Sequence, residues 1–335
     1  MDLLDRLSLE YPIFQAGMGE FADATLAGTV SRAGGLGTIG LTHPKRLVDE
    51  IRKTRMLAPQ RPLAVNLLLP FVRDAHVEVC IQQRVTAVVL FFGHSASIVK
   101  KLHDAGIVVL HQVGTPAQAK RAIADGADVL IAQGLQAGGH LLAQERSADV
   151  LPRVVQMAEG IPVIVAGGIA DATDVRIARD GGASGVVVGS RFLLTHECAA
   201  PMAYKRRIAG SSRTIVTRLF GLGWPARHRV ATNSATDRWC DKHGRGPRSI
   251  DLFNQFSAPL GRVASHERSA WVVRMQSLRL PFYSPMTIGE DNTERLEVTP
   301  LYAGEAVYKM TELQPAASVV QTLALGWSCP APAGT

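Results

Sequence analysis

The sequence predicts an α/β fold, a (β/α)8 barrel with a smaller, mainly helical second domain. Three observations point there. Between residue 12 and about 195, short Val- and Ile-rich runs alternate with longer amphipathic stretches, the rhythm of parallel strands covered by helices. The runs number eight, enough to close a barrel. Beyond residue 200 that rhythm stops.

In chain order the runs are "PIFQAG" from Pro12, "GLGTIG" from Gly35, "PLAVNLL" from Pro62, "TAVVLFF" from Thr86, "IVVLHQV" from Ile107, "DVLIAQG" from Asp128, "PVIVAGG" from Pro162 and "SGVVVGS" from Ser184. The intervening stretches carry helix-start chemistry. Thr115 followed by Pro116 and Gln118 has the form of a capping box with proline in the first turn, and Asp171 with Asp174 marks another start. Ile98, Val99 and Leu102 share a helical face that turns toward the sheet. The segments "RAGGLG", "DAGIVV", "DGADVL" and "DGGASGV" put glycine where a helix closes before the next strand. An open doubly wound sheet is the competing architecture, but the first strand leads into "AGMGEFAD" rather than GxGxxG, and no acid follows at the required offset. The barrel is therefore expected over 1–205 plus 300–335 and the smaller helical domain over 206–299. The run "PAASVVQTLAL" near the end is read as a helix returning to the barrel.

Composition narrows the function. The 335 residues are 47% hydrophobic and 19% charged, which is the balance of a folded, water-soluble chain. The opening "MDLLDRLSLE" lacks a basic region followed by an apolar one, and no apolar run approaches the ~20 residues of a membrane span, so a cytoplasmic protein without a membrane partner is expected. Cys80, Cys198, Cys240 and Cys329 are far apart and read as reduced thiols, with no metal site among them. The net charge of +7 is spread, apart from short clusters such as "YKRRIAG", and so predicts no nucleic-acid partner, although it favours anionic ligands. A homo-oligomer is compatible with the sequence.

In such barrels the chemistry sits at the C-terminal ends of the strands. The glycine turns "AGGIAD" and "VVGSRF" end strands seven and eight and lead into helix starts, where bare N–H groups can hold a phosphate. Asn66 and Gln133 interrupt apolar runs with buried amides, which either bond neighbouring backbone or meet the polar edge of a heterocycle. His140 lies in a glycine loop, "QAGGH", that permits close backbone approach, and an imidazole titrates near neutrality. His94 and His111 lack such loops and read as structural, with His111 the better placed to take part. There is no HExxH, no GxSxG and no acid pair at the strand ends, so metal, serine and glycosidase hydrolysis have no apparatus.

At these residues the sequence resembles the nitronate monooxygenase family, formerly called 2-nitropropane dioxygenases, and at greater distance the flavin-dependent enoyl-ACP reductases. The matching pieces are "PIFQAGM", "SRAGGLGTIG", "RPLAVNLL", "AQGLQAGGH", "IPVIVAGGIAD", "GVVVGSRFLLTHE", "GWPARHRV" and "LYAGEAV". The resemblance implies FMN, with Ala16, Gly17 and Met18 lining the flavin, Asn66 and Gln133 at its polar edge, and Gly138, Gly167, Gly168, Gly189 and Ser190 at the ribityl chain and phosphate. It implies His140 as the catalytic group, acting on an alkyl nitronate or nitroalkane with dioxygen as co-substrate, and "LYAGEAV" closing over the site. Gln136 stands where the family often has an acid, and Leu141 and Leu142 follow the histidine where it commonly has glycine or a polar residue. Two alternatives remain: an NAD(P)H-dependent FMN reductase of quinones or enoyl thioesters, and a non-redox phosphate-binding barrel.

Overall fold

Each of the eight apolar runs forms a parallel strand in the computed structural model, which describes residues 3–263 and 273–328. They are β1 (Ile13–Gln15), β2 (Gly37–Ile39), β3 (Leu63–Leu68), β4 (Ala87–Phe91), β5 (Val108–Val113), β6 (Val129–Gln133), β8 (Val163–Ala166) and β9 (Gly185–Val188), the label β7 falling to the short strand Gly139–His140. The order is β1-β9-β8-β6-β5-β4-β3-β2. A parallel bridge between Phe14 and Leu36 closes the ring, with Gln15 N–H donating to Leu36 O and Leu36 N–H to Ile13 O, both at 2.9 Å. The barrel is thus the predicted one.

Alternation along the strands sorts side chains into two layers. Ala64, Val89, Leu110, Ile131, Ile164 and Val187 fill the interior. Val65, Leu67, Val88, Leu90 and Val109 pack outward beneath helices, against Leu47, Ile51, Val99 and Leu102. Runs buried on both faces read as continuous apolar sequence, and for that reason they were legible.

The helix boundaries follow from local hydrogen bonding. Thr115 Oγ1 accepts from Gln118 N–H at 3.3 Å, while Gln118 Oε1 accepts from Gly114 N–H at 2.8 Å, one residue earlier than a standard capping box requires. Asp171 Oδ1 accepts from Thr173 and Asp174 N–H at 2.9 and 3.0 Å. Left-handed glycines end the helices: Gly34, Gly106, Gly126 and Gly182 have φ of +96°, +73°, +96° and +93°. The run from Ala316 is a helix, Ala316–Ser328, its first N–H groups met by Glu197 Oε2 at 2.8 Å from Ala316 N. It packs so closely on Ala172 that a Cβ on Gly326 would lie 2.1 Å from that carbonyl oxygen.

The chain divides into two compact units, one of Met1–Leu135, Ala143–Ala199 and Leu313–Thr335 and the other of Gln136–Leu142 and Ala200–Glu312. The second unit adds a sheet to the helices expected of it. Alongside helices Met202–Ile208, Ser234–Trp239 and Arg248–Val263 it contains an antiparallel sheet of β10 (Thr214–Thr217), β11 (His228–Ala231), β12 (Leu301–Tyr302) and β7. β11 is central, pairing with all three others. Its core joins Ile215, Leu219, Phe220, Val230 and Tyr283. The unit also extends beyond the 206–299 of the sequence reading. Residues 136–142 belong to it because β7 bonds to β11, and residues 300–312 because β12 does.

Cys80, Cys198 and Cys240 are free thiols, and burial pushes the Cys80 thiol up to about 12. Cys329 lies outside the described residues. Among the described residues no helix is long and apolar enough to cross a membrane.

The tight packing of β2 on helix Ala24–Arg32 makes a stability prediction. A Cβ on Gly37 would sit 1.9 Å from Ala27 O, a backbone atom. Gly37→Ala is expected to cost at least ~2 kcal/mol in urea unfolding. Gly106→Ala, at φ +73° with open space around it, should cost about 1–2 kcal/mol through backbone strain alone. A loss for Gly37→Ala smaller than that for Gly106→Ala would contradict the packing described.

Candidate functional site

In the first unit, the C-terminal ends of the strands carry small and amide-bearing residues. Ala16 follows β1 on the interior face, and its N–H donates to Val188 O at 2.9 Å, so it stands beside Gly189 at the end of β9. A Cβ on Gly189 would meet only Ala16 Cβ, at 3.6 Å, leaving open space otherwise. Gly17 lies against Asn66: a Cβ there would be 2.4 Å from Asn66 Cβ and 2.8 Å from its Oδ1. Glycine is therefore required at 17 for the Asn66 side chain to keep its place. Met18 is half-buried in the turn that follows, where Phe21 N–H donates to its carbonyl at 3.2 Å.

Asn66 shares the inward parity of Ala64 and is buried. Its Nδ2 donates to Val89 O at 3.3 Å, so one arm of the amide is held by neighbouring backbone and fixes the other. Gln133 has the inward parity of Ile131 and is buried at the end of β6, opposite Ala166. The next residue, Gly134, donates to Ala166 O at 2.8 Å. Gly167 and Gly168 follow with φ of +110° and +83°, successive positions that only glycine occupies without strain. Ser190 opens the short helix Ser190–Leu193, with Gly189 before it. Ala16, Gly17 and Asn66, together with Gln133, Gly167 and Gly168, are thus brought to one end of the barrel, as are Gly189 and Ser190.

The rim has one residue the sequence reading does not name, and His111, read there as structural, lies outside it. Gln112, half-buried, has the inward parity of Val108 and Leu110, which line the interior. Alternation alone would have found it, had "VVLHQV" not been read as an undivided apolar strand. His111 has instead the parity of Val109 and faces the helix layer. Its Nε2 is 3.0 Å from Gly93 O, and its ring centroid is 5.2 Å from that of His94, whose Nδ1 is 3.4 Å from Asp125 Oδ2. His111 is structural.

Gly138 and His140 belong to the second unit. His140 is the direct partner of His228 across β7 and β11, Gly139 pairs with Arg229, and Leu141 N–H donates to Arg227 O at 2.8 Å. The segment "LYAGEAV" interlocks with the same loop. A Cβ on Gly138 would be 2.4 Å from Gly304 N, one on Gly304 would be 2.7 Å from Gln136 O, and Glu305 N–H donates to Gln136 O at 3.0 Å. Arg229 completes the frame with an ion pair to Glu305 at 3.2 Å.

The His140 ring is surrounded by other rings. Trp224 stacks on it at a centroid distance of 3.8 Å and 25° between planes, Tyr302 is tilted at 5.2 Å, and His228 is edge-on at 5.5 Å. Burial, with a smaller contribution from His228, holds His140 well below the usual imidazole range. His228, fully buried, is pushed down to about 4 by burial against the opposing hydrogen bond to Ala226 O at 3.0 Å. That bond places the proton on Nδ1. Tyr302 is raised well above the ordinary phenol value, chiefly by burial, and its hydroxyl donates to Pro285 O at 2.6 Å. At neutral pH the cluster carries no net charge.

These values set a pH dependence of stability. His228 binds a proton more weakly in the folded chain than its unfolded value of 6.5, so its contribution is fully present above 6.5 and is lost as pH falls toward about 4. The loss is worth about 3 kcal/mol. Urea titrations from pH 7 to pH 4 should show this decline, and His228→Phe should flatten part of it. An unchanged slope in that variant would show that His228 titrates normally.

Residues 2–75 and 71–326 match the family model described as nitronate monooxygenase. The chain is 35% identical over 224 residues to a (3aS,4S,5R,7aS)-5-hydroxy-7a-methyl-1-oxo-octahydro-1H-indene-4-carboxyl-CoA dehydrogenase of Mycobacterium tuberculosis, covering 64% of this chain and 62% of that protein. It is 34% identical over 239 residues to a nitronate monooxygenase of Neurospora crassa, covering 58% and 63%. The match therefore spans less than two thirds of the length of either relative. Among solved structures, FabK from Thermotoga maritima is similar with a TM-score of 0.78 and 27% identity over 97% of this chain and 95% of that one. With the family model matched over most of its length, the chain belongs to the nitronate monooxygenase family.

Proposed function

We propose that the protein is an FMN-dependent oxidoreductase that oxidises alkyl nitronates, and nitroalkanes through them, with dioxygen. The observation that carries this reading is the family match, which runs through both compact units and includes every residue of the rim and of the His140 loop. The chemistry of the rim is compatible with the cofactor. Inward amides of Asn66, Gln112 and Gln133 offer both donors and acceptors to a heterocycle, and the glycines leave backbone N–H groups bare for a phosphate.

In this reading Ala16, Gly17 and Met18 line the flavin ring, and Asn66 and Gln133 meet its polar edge, with Gln112 added to them. Gly138, Gly167, Gly168, Gly189 and Ser190 hold the ribityl chain and phosphate. Bound FMN supplies a two-electron acceptor that dioxygen can reoxidise. The protein supplies the proton step. His140, held neutral by burial, is in its proton-accepting form throughout the ordinary pH range. It takes the proton from the carbon beside a neutral nitro group, or donates a hydrogen bond to an anionic nitronate. The substrate is a small carbon acid, and no nucleic acid or membrane takes part.

A second reading has one specific support, the relative named as a CoA-ester dehydrogenase. Under it the same flavin would exchange electrons with an acyl thioester or with NAD(P)H. Anaerobic mixing separates the two: ethylnitronate should bleach the yellow protein rapidly and NADH slowly or not at all. The reverse result would favour the second reading, and a colourless protein without affinity for FMN would remove both. His140→Ala should retain the flavin spectrum while lowering kcat/KM for nitroethane by about 100-fold or more. Ordinary nitroethane turnover in that variant would remove the imidazole from the mechanism.

A further inference from the structure

A proton acceptor half-buried and desolvated by the rings around it faces a difficulty: the surroundings that keep it neutral also oppose the charge it acquires when it works. Desolvation raises the energy of the His140 imidazolium. Three rings pack on it: Trp224, from the segment before β11, His228 on β11 and Tyr302 on β12.

Trp224 differs from the others in geometry. Its ring is nearly parallel to the imidazole at 3.8 Å, whereas His228 presents an edge and Tyr302 is tilted by 47°. The backbone around it is pinned on both sides, with Trp224 N–H donating to Gly221 O at 3.0 Å and Ala226 N–H donating to Trp224 O at 2.9 Å. The pairing of His140 with His228, four residues further on, holds the two stacked rings in one frame. A stacked indole has two consequences. It blocks rotation of the imidazole about its Cβ–Cγ bond, and its negative face favours a cation over a neutral ring.

We propose that Trp224 is a positioning residue for His140, fixing the plane of the imidazole and stabilising the imidazolium formed when it takes the proton of a neutral nitroalkane. This rests on the functional reading above. In the step, the C–H bond beside the nitro group breaks, its proton goes to a His140 ring nitrogen, and the electron pair stays on the substrate as the nitronate. The His228 Nδ1–H is committed to Ala226 O and the ring is neutral above its lowered value of about 4, so it brings no countercharge to the imidazolium. The Tyr302 hydroxyl is likewise engaged, by Pro285 O. A substrate that arrives already as the nitronate needs no such proton transfer, so the indole should matter far less for it.

The test compares Trp224→Leu and Trp224→Phe on nitroethane and on ethylnitronate, using the same flavin-loaded preparation for both substrates. The ratio of the two kcat/KM values is independent of how much of the preparation is correctly folded. Trp224→Leu should lower the nitroethane-to-nitronate ratio by about tenfold, and Trp224→Phe, which keeps a π face, should restore most of it. A second readout needs no turnover: in proton NMR of the full chain, the His140 ring protons should lie upfield in the wild type and move downfield in Trp224→Leu. A ratio unchanged in Trp224→Leu, with active wild type, overturns this inference alone. Wild type inert on both compounds overturns the functional reading itself, and the proton-transfer role of Trp224 with it.

Discussion

The pairing of β7 with β11 is the constraint on which the arrangement around His140 depends. It is only a two-residue ladder, Gly139 to Arg229 and His140 to His228, yet it transfers a loop that begins just after a barrel strand to the second unit. Paired residues in an antiparallel ladder place their side chains on the same face of the sheet. Once His140 is opposite His228, the rings of both, together with Tyr302 on β12 beyond, must pack on one another. The glycines flanking this pairing are needed for it. Gly138 and Gly304 approach so closely that neither has room for a methyl group.

A different rule organises the rim of the barrel. There, position is decided by parity along each strand, and the consequence is a set of neutral carboxamides facing inward next to glycine turns. The absence of charge from this set is informative. A lysine or carboxylate at the position of Gln112 or Gln133 would bind or repel an anionic ligand by a force that acts at a distance; an amide acts only on a group whose donors and acceptors match it in direction. In the proposed reading, such a rim would select its ligand by shape and hydrogen-bond pattern. The interlock of Gly17 with Asn66 belongs to the same logic, since a fixed amide has a defined direction and a mobile one does not.

Most of the first unit was legible because its strands are buried on both faces and its helices begin and end with side chains whose preferences are local. Thr115, Asp171 and the left-handed glycines need no knowledge of distant residues to do what they do. The second unit was illegible for the opposite reason. β7 and β12 are two residues long, and β11 reads "HRVA", with a histidine and an arginine where an apolar run would be sought. Their strand character comes from partners far away in sequence. Gln112 is marked by local alternation but sits in a strand read as a continuous apolar run, and the parity that turns it inward places His111, read as structural, on the helix side. Trp224 and His228 lay inside the quoted segment "GWPARHRV", but nothing in one segment says that its indole stacks on a ring from another.

If His140 takes the substrate proton as proposed, opposing terms in its environment serve that one transfer. Desolvation acts on the resting protein, keeping the imidazole neutral and so available at any pH above its lowered value. It also weakens the base, because the same low polarity raises the energy of the charged product. A contact attractive to the cation relieves that second effect while raising the imidazole value by the same free energy, and the modest strength of a stacked ring keeps that rise small. The stacked indole has this property, since the quadrupole of its face interacts with charge far more than with a neutral neighbour. Stabilisation that appears only as the proton arrives lowers the barrier instead of deepening the ground state, and this is the condition for a contact to accelerate a reaction. An aspartate in the place of Trp224 would act in the same direction but far more strongly. By attracting the proton in the resting state it would raise the imidazole value toward and beyond neutrality, and the base would be occupied before substrate reached it.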